Sequence, residues 1–231
     1  MDFEILALNE KTWCFHEGFV RAFLLAGREK ALLVDTCMNV SGIRAKAEEL
    51  TGLPVELINT HCDPDHTGAN GEFERFYMHP AEEEKLRRFR GLSGELVPVQ
   101  EGDTIDLGGR TVTVIDLPGH TPGSIGLLDH EARVLISGDT VQTGGIVMLG
   151  PDRRIETLKA SLEHLLANWS DRFDTVFPAH GEFPLPASIL PELIESAAHV
   201  LAGDCVPEPA DFHGRTVMRY HWGVGTFFCE R

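Results

Sequence analysis

Short apolar runs, punctuated by Gly and Pro, set the rhythm of this chain. Residues 3–8, 20–26 and 31–35 read as strands, with a turn at Gly27-Arg28-Glu29-Lys30 between the last two. Helical spacing then runs over residues 43–50, with Ser41 as the candidate N-cap and Gly52 as the stop. Residues 55–59 predict a buried strand. Residues 72–76 predict one or two helical turns, and 80–89 a helix with Pro80 in its first turn. That helix ends in Arg87-Arg88-Phe89-Arg90, where cations suit the C-terminal dipole. From 96 to 136 the pattern changes to short strands at 110–117, 124–129 and 133–137, joined by tight turns. Residues 155–167 are amphipathic, with Leu158, Leu162, Leu165 and Leu166 on one helical face. A strand at 174–177, a helix at 186–201 and a hairpin over 216–228 around Gly223-Val224-Gly225 complete the series. Strands and helices alternate in two blocks of similar length, without linker, repeat or low-complexity stretch. This predicts one α/β domain over residues 1–231, with two sheets covered by helices.

Composition narrows the function classes. A hydrophobic content of 42% with 24% charged residues is that of a globular chain. No apolar run approaches the roughly 20 residues of a membrane span. The start, Met1-Asp2-Phe3-Glu4, is acidic where a signal peptide is basic. The 5 cysteines are odd in number, scattered and without a Cys-x-x-Cys pair, the usage of a reducing compartment. Together these predict a cytoplasmic protein. A net charge of −16 disfavours nucleic acid and anionic membrane as partners and leaves a small-molecule substrate. A homo-oligomer stays open.

The chemistry concentrates in Asn59-Thr60-His61-Cys62-Asp63-Pro64-Asp65-His66-Thr67-Gly68. Four metal-binding side chains, His61, Asp63, Asp65 and His66, fall within this segment. Buried carboxylates are costly unless something positive pairs with them, and no Lys or Arg occurs between Glu56 and Asn70. A divalent cation completed by neutral imidazoles would serve. Cys62, inside the loop, reads as a small buried filler rather than a ligand. Three more candidates follow apolar strands and are flanked by Gly or Pro. They are His120 in Leu117-Pro118-Gly119-His120-Thr121-Pro122-Gly123, Asp139 in Ile136-Ser137-Gly138-Asp139-Thr140, and His180 in Phe177-Pro178-Ala179-His180-Gly181. Alone, each would serve its turn. With the first loop they make seven ligands, the number that two adjacent metal ions with open positions would use.

These motifs, Thr60-His61-x-x-x-Asp65-His66-x-Gly68 and the three that follow it, make the chain resemble the metallo-β-lactamase superfamily over nearly its whole length. The resemblance implies a four-layer αββα sandwich with metals at one edge. By position it implies His61, Asp63 and His120 on a first metal, Asp65, His66 and His180 on a second, and Asp139 on both. Asp63 departs from the pattern, since the family's usual His-x-His-x-Asp-His has an imidazole there. A flavodiiron-like branch carries a carboxylate at that place and binds iron, so the expected pair of divalent ions is zinc, or iron or manganese.

The implied activity is a metal-dependent hydrolase acting on a small ester, thioester or lactone, with Asp65 also orienting the attacking hydroxide. The alternatives are a non-hydrolytic diiron protein and a metal-bound regulatory module. Thr60 and Thr121 are candidate partners of the imidazoles. His16, in an expected loop with Trp13, Phe15 and Phe19, is a candidate substrate contact, the alternative being a hairpin tip that only packs. Residues 141–154 read either as a loop over the cleft, with Arg153 or Arg154 near an anionic substrate group, or as a packed connector.

Overall fold

The period-two alternation of strand side chains builds the layers. The computed structural model describes residues 3–90 and 94–230. Met1-Asp2 of the acidic start, and the side chains of Phe89 and Arg90 in the basic cluster, lie outside the described residues. The first half runs β1 (Glu4–Asn9), β2 (Thr12–Glu17), β3 (Val20–Ala26), β4 (Ala31–Val34), α1 (Ile43–Thr51), β5 (Val55–Ile58), α2 (Pro64–Thr67), β6 (Arg75–Met78), α3 (Glu83–Arg90) and β7 (Glu95–Pro98). The second runs β8 (Thr104–Asp106), β9 (Thr111–Asp116), β10 (Ile125–Asp129), β11 (Val134–Gly138), β12 (Ile146–Met148), α4 (Ile155–Trp169), β13 (Thr175–Pro178), β14 (Leu185–Pro186), α5 (Ile189–Ala202), β15 (Glu208–Phe212), β16 (Arg215–Trp222) and β17 (Gly225–Cys229).

One sheet takes the order β1-β2-β3-β4-β5-β6-β7 and the other β14-β13-β11-β10-β9-β8. On β3, Phe23 and Leu25 face one way and meet Val112, Val114, Leu127 and Ile136 of the second sheet. Ala22 and Leu24 face the other way, onto a layer holding Ile43 and Ala47 of α1 and Leu86 of α3. Leu128 and Leu135 of the second sheet turn away from the first and pack on Leu158 and Leu162 of α4 and Leu193 of α5. Helix, sheet, sheet, helix is the αββα sandwich. Buried Arg110 stitches the sheets together. It pairs with Asp129 (Nε–Oδ2 3.0 Å) and donates to the Thr12 hydroxyl (2.8 Å) and the Lys11 carbonyl (2.6 Å).

Four local expectations change. The segment 13–18, expected as a loop, lies in β2 up to Glu17, because Cys14 enters the core between the sheets while Trp13 and Phe15 pack on the helix side. The segment 72–76 is a 3-10 turn at Asn70–Glu72 followed by β6, which pairs in parallel with β7 and sends Phe76 and Met78 into the core. Gly42, not Ser41, heads α1. The Glu72 carboxylate satisfies that helix start, accepting from the backbone N–H of Gly42 (2.6 Å) and Arg44 (2.9 Å). A third sheet, β12-β17-β16-β15, joins the two expected ones, since the terminal hairpin pairs in parallel with β12. Among the described residues no helix is long and apolar enough to cross a membrane.

Candidate metal centre

Each candidate ligand stands just beyond the end of a strand. His61 and Asp63 follow β5, and Pro64 at the first position of α2 turns the chain so that Asp65 and His66 project from one helical turn. His120, Asp139 and His180 follow β9, β11 and β13. Two glycines let these loops close in. Gly119 has φ 137°, and a Cβ there would lie 2.4 Å from the Leu158 backbone. Gly138 has φ 52°, and its Cβ would lie 2.8 Å from the Thr60 side chain. Neither position admits a larger residue without displacing a ligand loop.

The seven side chains converge. Donor atoms lie within 4.8 Å of one another in three overlapping groups: His61, Asp63 and His120; His61, His66 and Asp139; Asp65, His66 and His180. Asp139 lies between them. Its Oδ1 is 3.3 Å from the Nε2 atoms of both His66 and His180, and its Oδ2 is 3.4 Å from His120 Nε2. Every imidazole is held by its other nitrogen. His66 Nδ1 meets Asp35 Oδ2 at 2.8 Å, His120 Nδ1 the Val147 carbonyl at 2.9 Å, and His180 Nδ1 the Phe19 carbonyl at 2.8 Å. His61 Nδ1 meets the Thr60 hydroxyl at 3.1 Å, and that hydroxyl donates on to Asp35 Oδ2 at 2.7 Å. Four Nε2 atoms are thereby turned into one space, the arrangement that metal-binding imidazoles take from their outer partners.

Buried polar atoms test whether a metal fits. Among the described residues, His61 Nε2, His66 Nε2 and Asp139 Oδ1 are buried without a hydrogen-bond partner. Such atoms are costly to leave unsatisfied. Divalent cations bound in this space would satisfy all three, so the residues fit a metal.

The charges are closely coupled. Burial pushes the Asp139 carboxyl up, but His180, His66 and His120 outweigh it and hold it well below the usual range. Burial pushes His66 down, yet Asp139, Asp35 and Asp65 raise it well above an ordinary imidazole. His180 is likewise depressed by burial but lifted by Asp139 and Asp65, to about 10. His120 goes the other way, lowered by burial and by the charges of Arg153 and His61. A bound cation would replace the protons on His66 and His180.

Asp63 corrects the argument from local charge. Lys and Arg are absent nearby in sequence, but two cations reach it through the fold. Lys85 Nζ lies 2.7 Å from Oδ1, and Arg153 Nη2 pairs with Oδ2. The second oxygen also lies 3.2 Å from His120 Nε2 and 3.7 Å from His61 Nε2. Burial would raise this carboxyl, but the hydrogen bonds and charges of His120 and His61 keep it well below the usual range.

Other expected contacts sort differently. Arg153 enters the site, whereas Arg154 is exposed and its backbone N–H binds the Gly119 carbonyl at 3.0 Å. Residues 141–154 are held in place, because Ile146 and Met148 belong to β12 and to the core. His16 is a half-buried strand residue opposite Glu4 and Arg21, while Phe15 is buried. From that hairpin it is Phe19 that reaches the centre, 53% exposed and stacked on His180 with ring centroids 5.7 Å apart. Cys62 is buried in the core, where burial and nearby Glu82 push its thiol up. Thr121 binds Ser124 (2.8 Å) rather than an imidazole.

Residue-by-residue reading misses Asp35, Glu82 and Lys85. Asp35 shows in the sequence only as the acid that ends the apolar run 31–35. Glu82, fully buried, accepts from the backbone N–H of Cys62 (2.9 Å) and Gly123 (2.8 Å), and so ties the His61 loop to the His120 loop.

Known proteins resemble the chain in both fold and sequence. Residues 17–180 match the metallo-beta-lactamase superfamily. Acyl-coenzyme A thioesterase MBLAC2 of Homo sapiens is 30% identical over 211 residues, spanning 72% of this chain and 75% of that protein. Hydroxyacylglutathione hydrolase GloC of Haemophilus influenzae is 28% identical over 174 residues, spanning 67% of this chain and 82% of its own. In three dimensions, a metallo-beta-lactamase from Pontibacter korlensis superposes with a TM-score of 0.72 at 16% identity, covering 85% of this chain and 99% of that one. Fold and sequence agree that the chain belongs to the metallo-β-lactamase superfamily.

Proposed function

We propose that this chain, a hydrolase of the metallo-β-lactamase superfamily, cleaves small thioesters with two divalent metal ions bound between its sheets. One observation carries the reading: four imidazoles anchored at Nδ1 present their Nε2 atoms to three carboxylates, with buried donors left unsatisfied. The bond type comes from the relatives. An acyl-CoA thioesterase and a hydroxyacylglutathione hydrolase are both named for splitting a thioester. Those names also weigh against the diiron and regulatory alternatives. Residues 1–231 are read as one domain, because strand ends from both sheets supply the ligands.

In this reading His61, Asp63 and His120 hold one ion, Asp65, His66 and His180 the other, and Asp139 both. When bound, the ions supply Lewis acidity to the substrate carbonyl and a water made nucleophilic at neutral pH. Asp65 would orient a water toward the substrate carbonyl carbon and take its proton as the carbon–oxygen bond forms. Its carboxylate is steadied by His180 Nε2 at 3.3 Å and keeps part of its surface toward solvent. The proton then passes to the thiolate as the carbon–sulfur bond breaks, giving an acid and a thiol. The exposed ring of Phe19 beside His180 supplies apolar surface for an acyl chain. The first position offers two imidazoles and a carboxylate, a set that suits iron or manganese as well as zinc.

The test is a substrate panel of acyl-CoA, S-acylglutathione, aryl esters, lactones and phosphodiesters. It is run with metal-free protein and with protein reloaded with zinc, manganese or iron(II). Thioester turnover that a chelator abolishes and reloading restores is the expected result. Loaded protein that turns over none of the thioesters overturns the proposal.

A further inference from the structure

The unusual carboxylate at position 63 is not alone in its pocket. Lys85 grips Oδ1 at 2.7 Å from the outer side. That leaves Oδ2 aimed at the imidazoles of His61 and His120. Arg153 pairs with this same inward oxygen through Nη2. Its Nη1 donates to the Val147 carbonyl at 3.0 Å, the carbonyl that also anchors His120 Nδ1 at 2.9 Å. The same Nη1 lies 3.3 and 3.2 Å from the two ring nitrogens of His120, as when a guanidinium lies across the imidazole face. The framework fixes this placement. The next residue, Arg154, binds the Gly119 carbonyl through its backbone, and β12 pins the segment before it. The Arg153 and Asp63 side chains are each only 12% exposed, so water screens the pair weakly.

The second position differs. His66 and His180 face Asp139, Asp35 and the Phe19 carbonyl, and Asp65 faces His180. All of these groups attract a cation.

We propose that Arg153 is a built-in competitor for the first metal position, sharing the metal-facing oxygen of Asp63, so that the two ions bind with very unequal affinity. Lys85 has the opposite role, orienting Asp63 from behind. An ion bound by His61, Asp63 and His120 is held against a fixed guanidinium charge, and it is the first to leave. The pair of cations offsets the carboxylate that replaces an imidazole. The chain thereby keeps one firmly held ion and one exchangeable ion. This inference rests on the two-metal reading above, but not on any substrate.

The test is metal binding by full-length, metal-free protein, measured by competition with a chromophoric chelator for zinc and by the visible spectrum with cobalt(II). Wild type should bind two ions with affinities about 100-fold or more apart. Arg153→Ala and Arg153→Met should each tighten the weaker ion about tenfold or more, and leave the tighter one within about threefold. Arg153→Lys, which keeps the charge, should keep the weaker ion weak. Lys85→Ala should weaken that ion further. Circular dichroism confirms that each variant is folded, and the two uncharged variants check one another. Equal affinities in wild type, or a weaker ion unchanged or loosened by both uncharged variants, overturns the role of Arg153. Failure of wild type and of both uncharged Arg153 variants alike to bind a second ion overturns the two-metal reading instead. A thioester panel without turnover would leave this result standing.

Discussion

Glu82 offers the sharpest test of how the ligand loops are held. Its fully buried carboxylate takes one backbone N–H from each of two loops, those of Cys62 and Gly123. It also packs so closely on Gly123 that a Cβ there would sit 2.8 Å from Glu82 Cγ. Glu82→Ala leaves two buried N–H groups without an acceptor, at about 1–3 kcal/mol each. The expected loss is therefore about 2–6 kcal/mol, a large part of the roughly 5–15 kcal/mol of a typical domain. Glu82→Gln keeps one acceptor but turns an amide NH2 toward the other N–H, and should lose about 1.5–3 kcal/mol.

The pH dependence has a definite sign. Burial pushes this carboxyl up, but hydrogen bonding from Cys62 and the charge of His61 outweigh it, and the group lies below its ordinary value of 4.5. Its charged form is favoured by folding. The contribution is therefore complete above about 4.5 and disappears as pH falls below that value. Urea unfolding of metal-free wild type and both variants between pH 7 and pH 3 checks this. The gap between wild type and Glu82→Gln should narrow on the acid side. An alanine variant within about 0.5 kcal/mol of wild type at pH 7, or a gap that widens in acid, would refute the reasoning.

Two further outcomes follow. Arg110→Ala strands Asp129 as a buried, unpaired charge between the sheets, and should cost about 3–5 kcal/mol in urea unfolding, with Arg110→Lys intermediate. Phe19→Ala removes an exposed ring but spares the backbone carbonyl that holds His180, so stability should change by under about 1 kcal/mol. KM for thioesters with long acyl chains should rise severalfold while kcat holds. An unchanged KM would remove Phe19 from the acyl pocket.

The loops that carry the candidate ligands are legible in the sequence because their chemistry is local. His61 to His66 sit within one turn of chain, and His120, Asp139 and His180 each carry their own Gly or Pro beside an apolar strand. The partners of those ligands were not legible, because they are made by tertiary contact. Lys85 lies 22 residues from Asp63, and Arg153 lies 90. Neighbouring positions alone therefore show Asp63 as an acid without a local cation. The strand β2 was hidden by Trp13-Cys14-Phe15, a continuous apolar run that shows no alternation because both faces of the sheet are covered. The third sheet was hidden because β12 finds its partner at the far end of the chain. The helix start at Gly42 is completed by Glu72, again a residue that proximity in sequence does not point to.

The grip of the β2–β3 hairpin on the His180 loop has a consequence during synthesis. Arg21 binds that loop through its backbone to the Ala179 carbonyl (3.0 Å) and through its guanidinium to the Gly181 carbonyl (2.5 Å). The Phe19 carbonyl holds His180 across 161 residues of sequence. On the ribosome, His61, Asp63, Asp65 and His66 emerge together, while His180 follows roughly 110 residues later. At about 5–20 residues per second, that delay is on the order of ten seconds. Over that interval the nascent chain displays first four and then six of its seven candidate ligands beside a hairpin whose partner loop has not yet been made. Completion of the candidate site is thus a late event in maturation, set by the docking of residues 161 positions apart in the chain.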